Sequence, residues 1–153
     1  MSIYKDPYNE YLCHYGVLGM KWGIRKAKIY ATKAGKYHGK RFENNKKFGK
    51  LQDKHNQKLL KLKNKVSNKR YTNYSIKAME KELKLASKGQ YYMDKAHIYD
   101  KKVNDIIKKY RIKDGKKYID DAFYSGITYA TNFDSYFNNP GTYKQSYYYD
   151  IRK

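Results

Sequence analysis

Cysteine, acidic side chains and long apolar runs are all scarce in this sequence, and each scarcity excludes something. Cys13 is the only cysteine, which excludes an intramolecular disulfide and fits a reducing compartment. No stretch reaches the roughly 18 apolar residues that a membrane-spanning helix takes. Residues Met1 to Glu10 are polar and include Asp6 and Glu10, unlike the basic then apolar order of a secretory signal. The expectation is a protein that is not secreted, made in a cytoplasm and kept there or packaged from it. Leu, Ile, Val and Phe number 27 of 153 residues, below the roughly 20% at which high charge begins to suggest disorder.

Acidic residues number 14 against 35 lysines and arginines, a formal net charge of +21. A compact fold must tolerate that self-repulsion or a polyanion must relieve it. An AT-rich coding sequence over-produces Lys, Asn, Tyr and Ile, but it favours Glu as well, and only four glutamates are present. Codon bias therefore leaves the imbalance of sign unexplained. Twenty tyrosines partly replace the missing aliphatics, because tyrosine buries a large ring while keeping a polar tip. Together these features predict one elongated domain with a thin core, completed by a partner surface or an oligomer.

Three zones differ in pattern. Residues 1–23 are aromatic and punctuated by glycine, 24–111 are Lys-rich with helical periodicity, and 112–153 are rich in Tyr, Asn and Gly. The middle zone carries 27 basic and 7 acidic residues, nearly all of the net charge. In it, a 4-3 spacing runs through Ala27, Ala31, Ala34, His38, Arg41, Asn45, Phe48, Gln52, His55, Leu59, Leu62 and Val66, as a coiled-coil seam requires. After a polar break at Ser67 to Ser75 it resumes through Ile76, Met79, Leu83, Ala86, Gln90, Met93, His97, Asp100, Asn104 and Ile107, with Asn73 or Ser75 as candidate caps.

Folding these segments antiparallel about the break places Leu59 by Leu83, Phe48 by Met93, Ala34 by Ile107, Asn45 by His97 and Arg41 by Asp100. The predicted fold class is thus mainly α, a long antiparallel helical hairpin. An irregular N-terminal segment precedes it, and a Tyr-rich tail of short elements packs on it. Asp114-Gly115 and Asn139-Pro140-Gly141 are turn signals.

Nothing in the sequence predicts an enzyme or a cofactor. His38, His55 and His97 fall on the seams with no carboxylate pair or cysteine at ligand spacing, and the side chains of adjacent Cys13 and His14 diverge. Gly16 with Gly19, and Gly35 with Gly39, lack the context of a phosphate loop. Gly35 and Gly39 instead permit two helices to approach closely.

The basic clusters give the stronger signal. Arg25, Lys26 and Lys28, then Lys46 and Lys47, Lys61, Lys63 and Lys65, Lys69 and Arg70, and Lys101 and Lys102 are spaced along both helices, as phosphate neutralisation without base readout requires. Lysines outnumber arginines thirty to five, a bias toward non-specific contact, since arginine supplies most bidentate recognition. Tyr71, Tyr74, Tyr91, Tyr92 and Tyr99 either stack on unpaired bases or cover a thin core.

The segment from His14 to Arg25, with Gly16, Leu18, Gly19, Met20, Lys21, Trp22 and Gly23, sets large apolar groups among glycines that permit tight, non-helical backbone. It either docks into a partner's groove or folds back to plug the hairpin's end. This stretch resembles a motif, His-x-Gly-aliphatic-x-Gly-Met-Lys-Trp-Gly-aliphatic-Arg, found in otherwise dissimilar proteins from the structural-gene region of phages and prophages of Gram-positive bacteria. Tyr15 stands where that family often has a second histidine, and Lys26-Ala27-Lys28 replaces its usual Tyr-Gln-Asn-type continuation.

The resemblance implies a virion-associated protein, located in the virion or the host cytoplasm, with the motif docking on a virion partner. With the charge, it predicts a non-enzymatic protein that binds packaged nucleic acid or an acidic capsid surface through a lysine-rich helical face. The alternative is a phage-encoded inhibitor of a host nucleic-acid machine, such as an anti-CRISPR protein.

Overall fold

The computed structural model describes residues 17–112 and 116–132, with side chains from Trp22 to Ile112 and from Tyr118 to Asn132. Three helices account for nearly all of it: α1 (Val17–Leu62), α2 (Asn68–Lys109) and α3 (Lys116–Ala130). The first two form the antiparallel hairpin that the heptad spacing predicts. At 46 and 42 residues, each runs on the order of 60–70 Å at 1.5 Å per residue. Lys61 in the last turn of α1, and Lys108 and Lys109 in that of α2, place positive charge where the helix dipole favours it.

The turn between the long helices is shorter than the polar composition of Ser67 to Ser75 suggests. Ser67 itself is the N-cap, its hydroxyl accepting from the Arg70 backbone N–H at 3.4 Å, and α2 begins at once with Asn68. Asn73 and Ser75 lie inside the helix and cap nothing. Those polar residues mark a solvated helical face, with half-buried Tyr71 and Tyr74 on its inner side.

Moving the turn centre toward residue 65 slides the register. Asp100 meets His38 rather than Arg41, at 2.8 Å, and Asn44 donates to the Leu85 carbonyl at 2.8 Å. His97 is exposed, so the Asn45–His97 pairing does not form.

The buried face of α2 also differs in phase. Ala78, Gly89, Ala96, Asp100, Val103, Ile106 and Ile107 point inward, whereas Ile76, Met79 and Leu83 are 50%, 57% and 63% exposed. Small residues win the interface because they bring the backbones together. A Cβ at Gly89 would sit 3.0 Å from Asn44 Nδ2. On α1 the seam holds at Ala27, Ala31, Ala34, His38 and His55, but Asn44 is buried where Asn45 is expected.

Helix α3 packs on α1 through the same device. An added Cβ at Gly35 would collide with the Phe123 carbonyl oxygen, one at Gly126 with the Thr32 carbonyl oxygen, and one at Gly39 would lie 2.8 Å from the Ala130 Cβ. The close approach anticipated for Gly35 and Gly39 is real, and its partner is α3. Its result is a three-helix core at the open end of the hairpin, where Ile112, Ile119, Phe123 and Ile127 are almost wholly buried with Ala27, Ala31, Ala34, Val103, Ile106 and Ile107. Toward the tip, two helices alone share half-buried Phe48, Leu51, Leu59 and Leu62.

The chain leaves α2 through a Schellman motif. Ile112 N–H bonds to the Ile107 carbonyl at 3.0 Å and Arg111 N–H to that of Lys108 at 3.3 Å, with Arg111 at φ 49. The left-handed residue turns the chain so that Ile112 enters the core. The Asp114-Gly115 and Asn139-Pro140-Gly141 signals lie outside the described residues.

Candidate nucleic-acid interface

Every cationic residue singled out from the sequence, namely Arg25, Lys26, Lys28, Lys46, Lys47, Lys61, Lys63, Lys65, Lys69, Arg70, Lys101 and Lys102, is exposed. They lie along the whole hairpin rather than in one cluster: near the start of α1, midway along it, around the tip and toward the end of α2. Lys46 pairs with Glu43 at 3.5 Å.

A denser feature lies where α1 and α2 face each other between their middles and the open end of the hairpin. Tyr30 stacks against Tyr99 with centroids 6.0 Å apart, Tyr99 against Tyr37 at 5.8 Å, Tyr37 meets Tyr92 at 6.3 Å, and Tyr92 meets Tyr91 at 5.8 Å. Lysines lie over this ladder. Lys102 Nζ is 5.2 Å from the Tyr30 centroid and 5.3 Å from that of Tyr99, Lys33 is 5.5 Å from Tyr99, and Lys40 is 5.4 Å from Tyr37. Lys95 and Lys88 sit over Tyr91 and Tyr92 at 5.7 and 6.0 Å.

The ring faces that attract the ammonium groups also hold long, flexible side chains at the surface. Burial first, then the neighbouring phenols of Tyr91 and Tyr99, pushes the Tyr37 hydroxyl above its ordinary value. Of the lysines over the ladder, the basic clusters of the sequence contain only Lys102. The missed signal is the seven-residue spacing of Tyr30 with Tyr37 and Tyr92 with Tyr99, one face of each helix.

Tyr92 and Tyr99 therefore pack chiefly on protein, whereas Tyr91 is 51% exposed. Tyr74 packs on protein as well, edge-on to His55 at 6.2 Å with Lys58 over its ring at 4.6 Å.

Two histidine–carboxylate pairs form that sequence spacing did not suggest, because their partners are distant in the chain. His38 Nε2 lies 2.8 Å from Asp100 Oδ2, with the His38 ring edge-on to Phe123 at 5.5 Å. His55 Nδ1 lies 3.0 Å from Glu82 Oε1. The first pair is buried in the helix interface, where it fixes register. A hollow between the long helices, lined by Arg41, Asn44, Asn45, Phe48, Gly89 and Met93, holds about 210 Å³ and brings together no acid–base pair. Phe48 and Met93, paired in the predicted register, both line this hollow.

In the N-terminal motif, His14 and Gly16 lie outside the described residues. Leu18, Gly19, Met20 and Lys21 belong to α1, but their side chains lie outside the described set. Helix from Val17 onward replaces the non-helical backbone expected of this glycine-spaced stretch. Trp22 is 56% exposed, with Lys26 Nζ 5.1 Å from its ring, so it does not plug the hairpin. Tyr110 fills that end instead, its ring standing where a side chain on Gly23 would be, 2.5 Å from an added Cβ.

No helix among the described residues is long and apolar enough to cross a membrane. No curated protein and no solved structure matches the chain. Residues 5–29, which include the tryptophan motif and the first turns of α1, match a family of unknown function (DUF7211).

Proposed function

We propose that this chain is a non-enzymatic, phage-encoded virion protein that binds packaged nucleic acid without sequence preference through the lysines of its hairpin. The observation that carries the reading is the exposure of every predicted cationic residue along the helical hairpin. Lysine ammonium groups neutralise phosphates as point charges and release condensed counterions, which gives affinity without base readout. The virion assignment rests on the resemblance of residues 14–25 to phage structural-region proteins, and half-exposed Trp22 supplies an anchor for a virion partner.

Binding to random-sequence DNA tests the first part. With six to ten phosphate contacts, affinity falls by roughly 10³ to 10⁵ between about 50 and 200 mM salt and changes little with sequence. A flat salt response, or no binding at low salt, overturns it. Mass spectrometry of purified particles tests the second part: stoichiometric presence supports a virion role, and absence with co-purification on a host nuclease favours an inhibitor.

A further inference from the structure

The tyrosine ladder contains an internal repeat. Tyr30, Lys33, Ala34, Tyr37 and Lys40 of α1 recur on α2 as Tyr92, Lys95, Ala96, Tyr99 and Lys102, the same pattern Tyr-x-x-Lys-Ala-x-x-Tyr-x-x-Lys displaced by the 62 residues that separate His38 from Asp100. Four of the contacts obey the same exchange, although Lys33 lies over Tyr99 and Lys95 over Tyr91. Tyr30 on Tyr99 at 6.0 Å has its counterpart in Tyr92 on Tyr37 at 6.3 Å. Lys40 over Tyr37 at 5.4 Å corresponds to Lys102 over Tyr99 at 5.3 Å. Tyr37 with Tyr99, and His38 with Asp100, are each their own counterpart. Antiparallel helices related in this way carry a pseudo-two-fold axis across the hairpin, running from the buried His38–Asp100 pair out through the Tyr37–Tyr99 stack.

The geometry points to this strip as a docking site for the backbone of double-stranded nucleic acid, with the pseudo-two-fold axis laid on a dyad of the duplex. The inference rests on the nucleic-acid reading above and selects the surface and the form of the ligand. The two strands of a duplex are antiparallel and exchanged by two-folds perpendicular to its axis, so a surface with its own two-fold meets both backbones with equal contacts. Lys33 and Lys40, like Lys95 and Lys102, are seven residues apart, about 10 Å along a helix. That span reaches from one backbone to the other across a minor groove about 6 Å wide.

A single strand lacks this symmetry and needs open ring faces for stacking. Here Tyr30, Tyr37, Tyr92 and Tyr99 turn their faces to one another and to lysines. No arginine lies in the strip, in keeping with phosphate contact and without base readout. Of the adjacent carboxylates, Asp94 accepts from Gln90 at 2.8 Å, and Glu43, beside Lys40 and Tyr92, is engaged by Lys46 and the Thr131 hydroxyl.

The test uses the full chain with Lys33, Lys40, Lys95 and Lys102 all changed to Gln, and a tip variant of equal charge loss, Lys61, Lys63, Lys65 and Lys69 to Gln. Each is titrated with a random-sequence duplex and with a single strand of the same length across a salt series, after circular dichroism confirms the helices. The strip variant's log–log salt slope on duplex should shrink by about 3–4, from about 0.9 per lost contact, and its single-strand affinity should fall less. The tip variant should keep most of its duplex slope.

Two half-variants, Lys33 with Lys40 and Lys95 with Lys102, should lose equal affinity if the axis governs contact. Equal losses in strip and tip variants, unequal half-variants, or a wild-type preference for single strands overturns the site while leaving the proposed function standing. Failure of the wild type to bind either nucleic acid overturns the function itself.

Discussion

Gly35 and Gly126 each lie so close to the facing helix that an added Cβ strikes a backbone carbonyl, whereas a Cβ at Gly49 meets nothing within 4 Å. The same substitution therefore has opposite signs at two positions of one helix. Gly35→Ala should destabilise the protein by about 1–3 kcal/mol, because backbone cannot move aside as a flexible side chain does. Gly49→Ala should stabilise it by roughly 0.5–1 kcal/mol through helix propensity alone. Thermal melts of the two variants decide this, and similar shifts would mean that α3 does not seat on Gly35. Arg111, held at φ 49, is the converse case, since a non-glycine residue there costs roughly 1 kcal/mol. Nothing in the sequence singles it out, because the position is set by where α2 must stop for Ile112 to reach the core.

At the scale of elements, the inward face of α2 is the main difference between pattern and structure. Leu83→Ala should change stability by no more than about 0.5 kcal/mol, since Leu83 is 63% exposed, and Ile107→Ala should cost about 2–5 kcal/mol, since Ile107 is 6% exposed. Urea unfolding of both variants checks the phase directly, and an equal cost would restore Leu83 to the seam. The seating of α3 carries a pH dependence of its own. The Thr131 hydroxyl donates to the Glu43 carboxylate, and this bond, with the nearby charges of Lys46 and Lys47, holds the Glu43 carboxyl below its ordinary 4.5 against the opposing effect of burial. A depressed folded-state value stabilises fully above pH 4.5 and loses that contribution as pH falls through the lower value. The effect is modest because the side chain is 37% exposed and solvent screens it. A carboxyl-carbon NMR titration should show the Glu43 midpoint rising in Thr131→Val, and an unmoved midpoint would remove the hydroxyl as its cause.

For the whole molecule, the described residues divide into a three-helix end with an apolar core and a two-helix extension held by half-buried side chains and the His55–Glu82 and Asn44–Leu85 bonds. Hydrogen exchange should therefore protect α1 and α2 around Ala31 and Val103 more than around Leu59 and Ala78, as local contact density dictates; uniform protection would contradict the division. Trp22, 56% exposed at the start of the described side chains, belongs to neither part of the core. Trp22→Ala should move the melting temperature by no more than about 2 °C and leave bulk nucleic-acid affinity intact, while recovery in particles is lost. Full incorporation of that variant would remove the docking role, and a marked drop in melting temperature would return Trp22 to the fold.

Local pattern determined what local physics decides. Lysine, alanine and leucine at helical spacing made two long helices, the polar stretch near residue 67 placed the turn within a few residues, and net charge with lysine bias set the chemistry of the surface. Gly35 and Gly39 announced a close approach without naming the partner, because a glycine records only that something comes near. Only the tertiary structure decided which helix came near, which face of α2 turned inward and which residue met Asp100. Each of these depends on register, and register is the sum of many weak contacts set against one turn. A polar stretch several residues long locates that turn too loosely, and an error of one residue in phase turns a helix by about 100°. The pairing of Tyr30, Tyr37, Tyr92 and Tyr99 into one ladder is of the same kind: both spacings stand in the sequence, and their apposition exists only once the hairpin has closed.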